Sequence, residues 1–454
     1  MKLTVIGGGG VRSPLLAKSL ARRAGELGIT ELVFMDTDAE KLRIYGGIAR
    51  HVAGLLSPDL EMRLTGDAIE AVRDADYVIT TIRVGGDHMR VRDERIALSR
   101  NVLGQETTGA AGVSFAMRSV PALAGYCELI REHAKPGAKV FNFTNPAGVV
   151  SQALRDMGYD FAYGVCDAPT GMLRTIAAML GVDSSAISGE CYGLNHLSFF
   201  SSVLLDGREI LPELLADERT YRETDMRYFE PELARRRGTL LNEYLYYFYY
   251  RERAVENILR AGITRGEQIE EVNRHMTGEL RGLDMDRNFD EALAIYNRWH
   301  GRRSNMYMAN ESGVRRTEPW KFDIYGADEG GYAGVALRYI EIERSGSTRS
   351  MILCAPNAGA IPGLADDDVV EVTCDVSKEG CAPHRFAEVD IEPGNLELIR
   401  RVKYYERLAA RGIISRSEDD IVECLSMHPL VGSYSIAKDL AQHYIELNAE
   451  YWGR

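Results

Sequence analysis

The chain has 454 residues, 45% hydrophobic and 27% charged, an ordinary globular composition that excludes a disordered or fibrous protein. Lys plus Arg number 54 and Asp plus Glu 67, and the resulting formal charge of −13 disfavours a general nucleic-acid or anionic-membrane binder while leaving room for a local basic pocket around a small anion. No stretch approaches the roughly 20 apolar residues of a membrane span. The short apolar start runs into glycines and does not read as a signal peptide. The seven cysteines, odd in number and without a CxxC pair, predict reduced thiols in a cytoplasm.

Residues 3–6 (LTVI) predict a buried strand ending in four glycines, and 14–27 a helix with Leu15, Leu16, Leu20 and Ala21 on one face. Residues 31–36 predict the next strand and a helix follows from about Ala39. Further strands are predicted at 76–82, 139–145 and 161–167, separated by helices around 117–133 and 148–157. This alternation implies an α/β fold, a Rossmann-like doubly wound parallel sheet covered on both faces. The pattern changes near residue 190. A strand-like stretch (CYGLNHLSFFSSVLL) precedes a charged, Tyr-rich helical region expected over about 212–302, and a mixed tail carries strands at 350–354 and 369–374. The chain therefore divides into 1–190, Rossmann-like, and 191–454, a mixed α+β C-terminal domain.

Gly7, Gly8, Gly9 and Gly10 lie between the first strand and helix, where glycine lets the backbone approach a pyrophosphate and the helix N-terminus faces it. Val11 and Arg12 complete the turn, with Arg12 at the third glycine position of GxGxxG, so the fingerprint is incomplete. Asp36, ending the next strand, can accept the ribose hydroxyls, which favours NAD over NADP. The alternative is a tight turn without a ligand. Polar groups collect at other strand ends: Arg83 in TIRVGG, Glu106 in GQETTG and Asn145 in NFTNP. Ligands of open α/β sheets sit beyond these ends.

Cys166 ends a strand, Asp167 follows it, and His196 lies 30 residues further on in GLNH. A thiolate and an imidazole suit a borderline divalent ion with positions left open to substrate, although a lone Cys and a lone His are more often packing residues. Five of the seven residues from Tyr244 to Tyr250 are Tyr, and aromatics at helical spacing usually pack a core.

VIGGGG-VRSP, TIRVGG, GQETTG, NFTNPAG, GVCDAP, GLNH, NEYLYYFYY, TRGE and the later NAGAIPGL…DDVVEV occur in the order found in glycoside hydrolase family 4, and the likeness spans nearly the whole chain. The sequence most resembles the 6-phospho-glucosidase branch of this NAD-dependent family. The resemblance implies a redox-assisted elimination. C3 of the sugar is oxidised by NAD⁺, a tyrosine removes the C2 proton, the C1 group departs, water adds, and the hydride returns. An unactivated C2–H is far too weak an acid for any side chain, so a carbonyl must be made first, and a metal on the C2 and C3 oxygens would stabilise the enolate.

By motif position, Cys166 and His196 resemble the metal ligands, with Mn²⁺ expected and Fe²⁺, Co²⁺ or Ni²⁺ also suited to the donors. Tyr244 matches the base, and its free pKa of roughly 10 must fall for that role. Asp167 matches the acid that protonates the leaving oxygen in members acting on α-linked substrates. Asn145 and Arg83 would hold sugar hydroxyls or phosphate, Arg265 in TRGE resembles a residue near the base and phosphate, and Glu106 is a candidate for ordering metal-bound water. Gly10, Val11 and Arg12 replace the family's more usual polar Ser-x-Tyr, and Arg12 is placed to contact a phosphate.

Asp167 points to an α-linked substrate, whereas NEYLYYFYY and the C-terminal segment resemble β-acting members. The expected activity is 6-phospho-β-glucosidase, with 6-phospho-α-glucosidase next, acting on a phosphorylated disaccharide or other 6-phospho-glucoside. Two other classes share the nucleotide end: a 2-hydroxy acid dehydrogenase, which needs neither a Cys ligand nor the Tyr cluster, and a non-catalytic NAD sensor. The resemblance also implies a homodimer or homotetramer.

Overall fold

The computed structural model describes residues 1–316, 320–328 and 330–453. Among them, six parallel strands run in the order β3-β2-β1-β4-β5-β6: β1 (Lys2–Ile6), β2 (Glu31–Met35), β3 (Glu61–Thr65), β4 (Tyr77–Thr80), β5 (Lys139–Asn142) and β6 (Ala162–Gly164). This is the doubly wound dinucleotide-fold order, with the switch point between β1 and β4. Period-2 alternation explains the burial on both faces. Leu3, Val5, Leu32, Phe34, Ile79 and Phe141 enter the main core, while Ile6, Val33, Met35, Val78 and Val140 pack on Ala71, Val72 and Ile130.

Three antiparallel strands from the far end of the chain extend this sheet: β11 (Arg349–Pro356), β12 (Val369–Ser377) and β13 (Gly380–Pro383), joined at Cys354 opposite Gly164. The helix Gly331–Ser345 also packs on it. Its Tyr339 ring lies 5.2 Å from Phe141, and Tyr77 donates to Glu343 at 2.5 Å. Residue 190 falls inside strand β7 (Ile187–Leu194), so the two halves of the sequence interleave in space.

β2, β4, β5 and β6 end earlier than expected, whereas β11 and β12 run past their predicted ends at 354 and 374. β5 stops at Asn142, whose side chain ties β4 to the turn, accepting from Thr80 Oγ1 at 2.8 Å and from the Thr144 amide at 3.1 Å. The Asn145–Pro146 peptide that follows is cis. β3 was not expected, because EMRLT at the sheet edge is half-exposed and lacks an apolar run. The stretch 191–205 folds as a hairpin of β7 and β8 (Leu197–Leu205), which pairs with β9 (Arg208–Glu209) and β10 (Leu240–Leu241) in a second antiparallel sheet. The region 212–302, expected as one long helical stretch, is instead a series of helices interrupted by β10. Gly238 in the left-handed conformation at φ +65° ends one helix, and Asn242 caps the turn that follows.

Candidate functional site

At the nucleotide edge, Gly7 adopts φ +98°, and a Cβ there would stand 2.3 Å from the Thr81 carbonyl oxygen. The Gly9 amide donates to Asp36 Oδ2 at 2.9 Å, so the acid that ends β2 is bonded to the glycine turn itself. The Asp38 amide fixes its other oxygen at 3.0 Å. Arg12 occupies the N-cap of the helix Ser13–Leu27 without a side-chain cap bond, and Ser13 Oγ is buried with no partner. An uncapped helix start with an unused hydroxyl fits a phosphate. Gly7, Gly9, Gly10, Val11, Arg12 and Asp36 thus sit together around the C-terminal ends of β1 and β2.

Beyond β4 lies a ladder of charges. Arg83 pairs with Glu106 through two hydrogen bonds, and Arg90 Nη1 approaches the same carboxylate at 3.0 Å. Arg90 Nε also donates to Glu94 at 2.8 Å, and Glu94 accepts from the Gly266 amide at 2.7 Å. Burial works against the Glu106 charge, but the guanidiniums of Arg83 and Arg90 outweigh it and hold the carboxyl at about 2. Arg265 begins the helix Arg265–Leu280 behind the Thr264–Glu267 capping box and donates to the Arg303 carbonyl at 3.0 Å. Burial draws its guanidinium below the usual arginine range, with Glu311 opposing. The Asn145 carbonyl lies 3.4 Å from Ser119 Oγ, which anchors this loop end to the helix Ala111–His133.

Cys166 and Asp167 follow β6 after Val165, Asp167 being the N-cap of the helix Ala168–Leu180. The Ala168 amide points at Cys166 Sγ from 3.5 Å. His196 occupies the two-residue turn of the β7–β8 hairpin at φ +62°, a left-handed conformation uncommon outside tight turns. Its ring lies face to face with that of Tyr244, centroids 3.9 Å apart and planes at 11°. Glu371 of β12 fastens the hairpin, accepting from Asn195 Nδ2 at 3.1 Å and Ser198 Oγ at 2.8 Å. Ser198 Oγ accepts in turn from Asn242 Nδ2 at 3.2 Å, and Asn242 Oδ1 accepts from the Tyr244 amide at 3.0 Å. One buried carboxylate therefore positions both rings.

The electrostatics suit a cation. Burial pushes the Cys166 thiol well up, and Glu371 and Asp167 add to this. Burial holds His196 down at about 3 against the opposing pull of Glu106, so its imidazole is neutral. His196 Nδ1 and Asn195 Oδ1 are buried without partners. Among the described residues there is no cluster of three or more His, Cys, Asp or Glu side chains arranged to hold a metal ion. A Cys166–His196 donor pair would leave positions open for substrate oxygens, as catalytic sites require, and a divalent ion held there would reverse the local preference of the thiol for its proton.

The sequence matches the family model described as "Family 4 glycosyl hydrolase" over residues 2–182 and the "Family 4 glycosyl hydrolase C-terminal domain" over 191–431. The chain belongs to glycosyl hydrolase family 4. It is 29% identical to the 6-phospho-beta-glucosidase of Escherichia coli (strain K12), with 100% of this chain and 96% of that one covered. It is 26% identical to 6-phospho-alpha-glucosidase 1 of Lacticaseibacillus paracasei, covering 99% and 97%. Among solved structures, the 6-phospho-beta glucosidase from Thermotoga maritima with manganese, NAD+ and glucose-6-phosphate superposes with a TM-score of 0.79 at 27% identity, covering 99% of each chain.

In this family 4 hydrolase, Arg90, Glu371, Ser198 and Asn242 escaped the sequence reading. Arg90 and Ser198 lie in segments with no motif of their own. Asn242 opens NEYLYYFYY, but its capping role carries no chemical signature, and Glu371 lies within DDVVEV, where nothing local marks it as the residue that fastens the hairpin.

Proposed function

We propose that this family 4 glycosyl hydrolase cleaves 6-phospho-glucosides with NAD and a divalent metal, Mn²⁺ first among the suited ions. The single observation that carries the assignment is the His196–Tyr244 ring pair, fastened by Glu371. A cofactor supplies a reversible hydride acceptor for C3 and the ion a Lewis acid for the oxygens at C2 and C3 when both are bound.

Each residue then has a stated task. Gly7, Gly9, Gly10, Val11, Arg12 and Asp36 would hold the dinucleotide, and Cys166 and His196 the ion. Tyr244 receives the C2 proton on its phenolic oxygen. Asp167, next to Cys166, donates a proton to the leaving oxygen. Arg83, Asn145 and Arg265 orient sugar hydroxyls and phosphate. Glu106, kept ionised by Arg83 and Arg90, orders water. Residues 1–190 form the nucleotide-binding half and 191–454 the catalytic and substrate half.

The β-linked substrate is the preferred reading, supported by the 29% identity to a relative named for that linkage against 26% for one named for the α-linkage. Asp167 at the start of its helix, half-buried beside Cys166, favours the α-linkage as the second reading. The seven free cysteines support a reducing cytoplasm. No helix among the described residues is long and apolar enough to cross a membrane. A homodimer or homotetramer is the assembly that the motif resemblance supports.

The test is incubation with NAD⁺, Mn²⁺, a reductant and p-nitrophenyl 6-phospho-glucosides of both anomers. Nitrophenol release without net NADH is expected, faster from the β anomer. Net NADH from a hydroxy acid, or no turnover of either anomer, would overturn the assignment.

A further inference from the structure

Arg83 and Arg118 lie against the same aromatic ring. The guanidinium carbon of Arg83 stands 5.3 Å from the Phe115 centroid and that of Arg118 5.7 Å. Their surroundings differ. The Arg83 side chain is 32% exposed and faces the proposed substrate site, whereas Arg118 is buried and plays no part in the proposed reaction. Arg118 Nε donates at 3.2 Å to the carbonyl of Val84, the residue next to Arg83 in the chain. Gly85 follows at φ +82°, and a Cβ there would stand 2.6 Å from Met89 and 3.1 Å from Arg118 Nε. The turn that carries Arg83 is thus pressed directly onto Arg118.

The rest of the Arg118 guanidinium is committed to a closed, buried network. Nη2 donates to Asp93 Oδ2 at 2.5 Å, and Nη1 donates to Asn448 Oδ1 at 2.7 Å. Ser114 Oγ donates to Asp93 Oδ1 at 2.7 Å and accepts from Asn448 Nδ2 at 2.8 Å, which closes the ring. Asp93, Ser114 and Asn448 are all buried. They come from the helix Gly86–Leu98, the helix Ala111–His133 and the N-cap of the helix Ala449–Trp452. Segments more than 300 residues apart in the chain therefore meet at one guanidinium, and its remaining N–H is spent on the backbone beside Arg83.

We propose that Arg118 is a positioning residue for substrate binding, fixing the turn and the ring from which Arg83 reaches the sugar hydroxyls or phosphate. The proposal deepens the proposed function and rests on Arg83 being a substrate contact. Desolvation of two charges offsets most of the attraction in a buried ion pair, so the pair is a poor device for stability alone. A planar guanidinium instead fixes directions: bonded at once to Asp93, Asn448 and the Val84 carbonyl, it leaves the turn no freedom to slide. Lysine at this position would keep the charge opposite Asp93 but could not reach all three partners.

The test is a double-mutant cycle on the whole enzyme with NAD⁺, Mn²⁺ and the more rapidly cleaved p-nitrophenyl 6-phospho-glucoside anomer. Wild type is compared with Arg118→Lys, Arg83→Ala and the double variant. Arg118→Lys is expected to raise KM by about 10-fold, within the roughly 10²-fold cost of a 1 Å misplacement. Its kcat should change less than about threefold, the pattern of lost uniform binding. In the double variant KM should match that of Arg83→Ala within about twofold, because the placement of an absent side chain has no effect. KM effects that multiply in the double variant mark a general loosening of the fold and overturn the proposal. Wild-type KM in Arg118→Lys, with KM raised in Arg83→Ala, also overturns it and leaves Arg83 as a substrate contact. Wild-type KM and kcat in Arg83→Ala remove that contact, and the positioning role with it. NAD⁺ affinity reports folding. If Arg118→Lys fails to fold, the same cycle run with Asn448→Ala, which removes one acceptor from Arg118 without touching the Arg83 turn, decides by the same outcomes.

Discussion

The imidazole of His196 and the phenol of Tyr244 lie parallel, 3.9 Å between centroids, although 48 residues separate them in the chain. A hairpin turn presents one ring and a capped helical turn the other. Both supports converge on Glu371, a residue 1% exposed on a strand that extends the nucleotide-binding sheet. A shift of that strand would move the proposed metal ligand and the proposed base together.

Tyr244→Phe keeps the stacked ring and removes only the phenolic oxygen. Turnover of the 6-phospho-glucoside is expected to fall by about 10²- to 10⁴-fold. NAD⁺ affinity, measured by fluorescence titration, should change less than about twofold, because the substitution leaves the glycine turn and Asp36 untouched.

Cys166→Ser replaces a soft thiolate donor with a poor neutral one. Mn²⁺ affinity, followed by paramagnetic resonance of the free ion, is expected to drop by at least about 10²-fold, beyond the usual 10- to 100-fold cost of outer-shell changes. The NAD⁺ dissociation constant should stay put. Unaltered Mn²⁺ binding would take Cys166 out of the ligand set.

Gly7→Ala places a methyl group 2.3 Å from the Thr81 carbonyl at a backbone φ of +98°. Urea denaturation should show a loss of at least about 2 kcal/mol, accompanied by loss of NAD⁺ binding. Gly25→Ala in the helix Ser13–Leu27, with open space around the new methyl group, provides the contrast. That variant should gain about 0.5–1 kcal/mol.

His428 gives a dependence of stability on pH. It is 1% exposed, and burial, then the Arg401 charge, hold it down at about 3. A folded-state pKa below the unfolded value of about 6.5 means the unfolded chain binds the proton more readily. The contribution is therefore complete above about pH 6.5 and is lost as pH falls toward about 3, by up to about 1.4 kcal/mol per unit crossed. His428→Asn, whose side-chain oxygen can still accept from the Leu430 amide, should show a shallower acid loss in urea titrations between about pH 7 and about pH 4.

Much of the nucleotide half was legible because its signals are local. Apolar period-2 runs gave β1, β2, β4 and β5, and the glycines with Asp36 marked the turn. β3 was missed because an edge strand with one wet face has no such run. The helical region after residue 212 was read too long, since caps and glycines cut it in ways that composition does not reveal. At the site, motif order supplied Cys166, His196 and Tyr244. Arg90 and Ser198 had no motif to mark them, and Glu371 lies within DDVVEV with no role attached to it, since each matters only through the neighbour it touches.

By itself the sequence determined the parallel sheet, the glycine turn and the family, all of which follow from residues adjacent in the chain or from motifs in fixed order. Only the tertiary structure decided that β11–β13 complete the first sheet, that Glu371 holds the His196 hairpin, and that the His196 and Tyr244 rings stack. Hydrogen bonds and desolvation act through space over a few ångströms, and the spacing of residues along a chain carries no record of them until it folds.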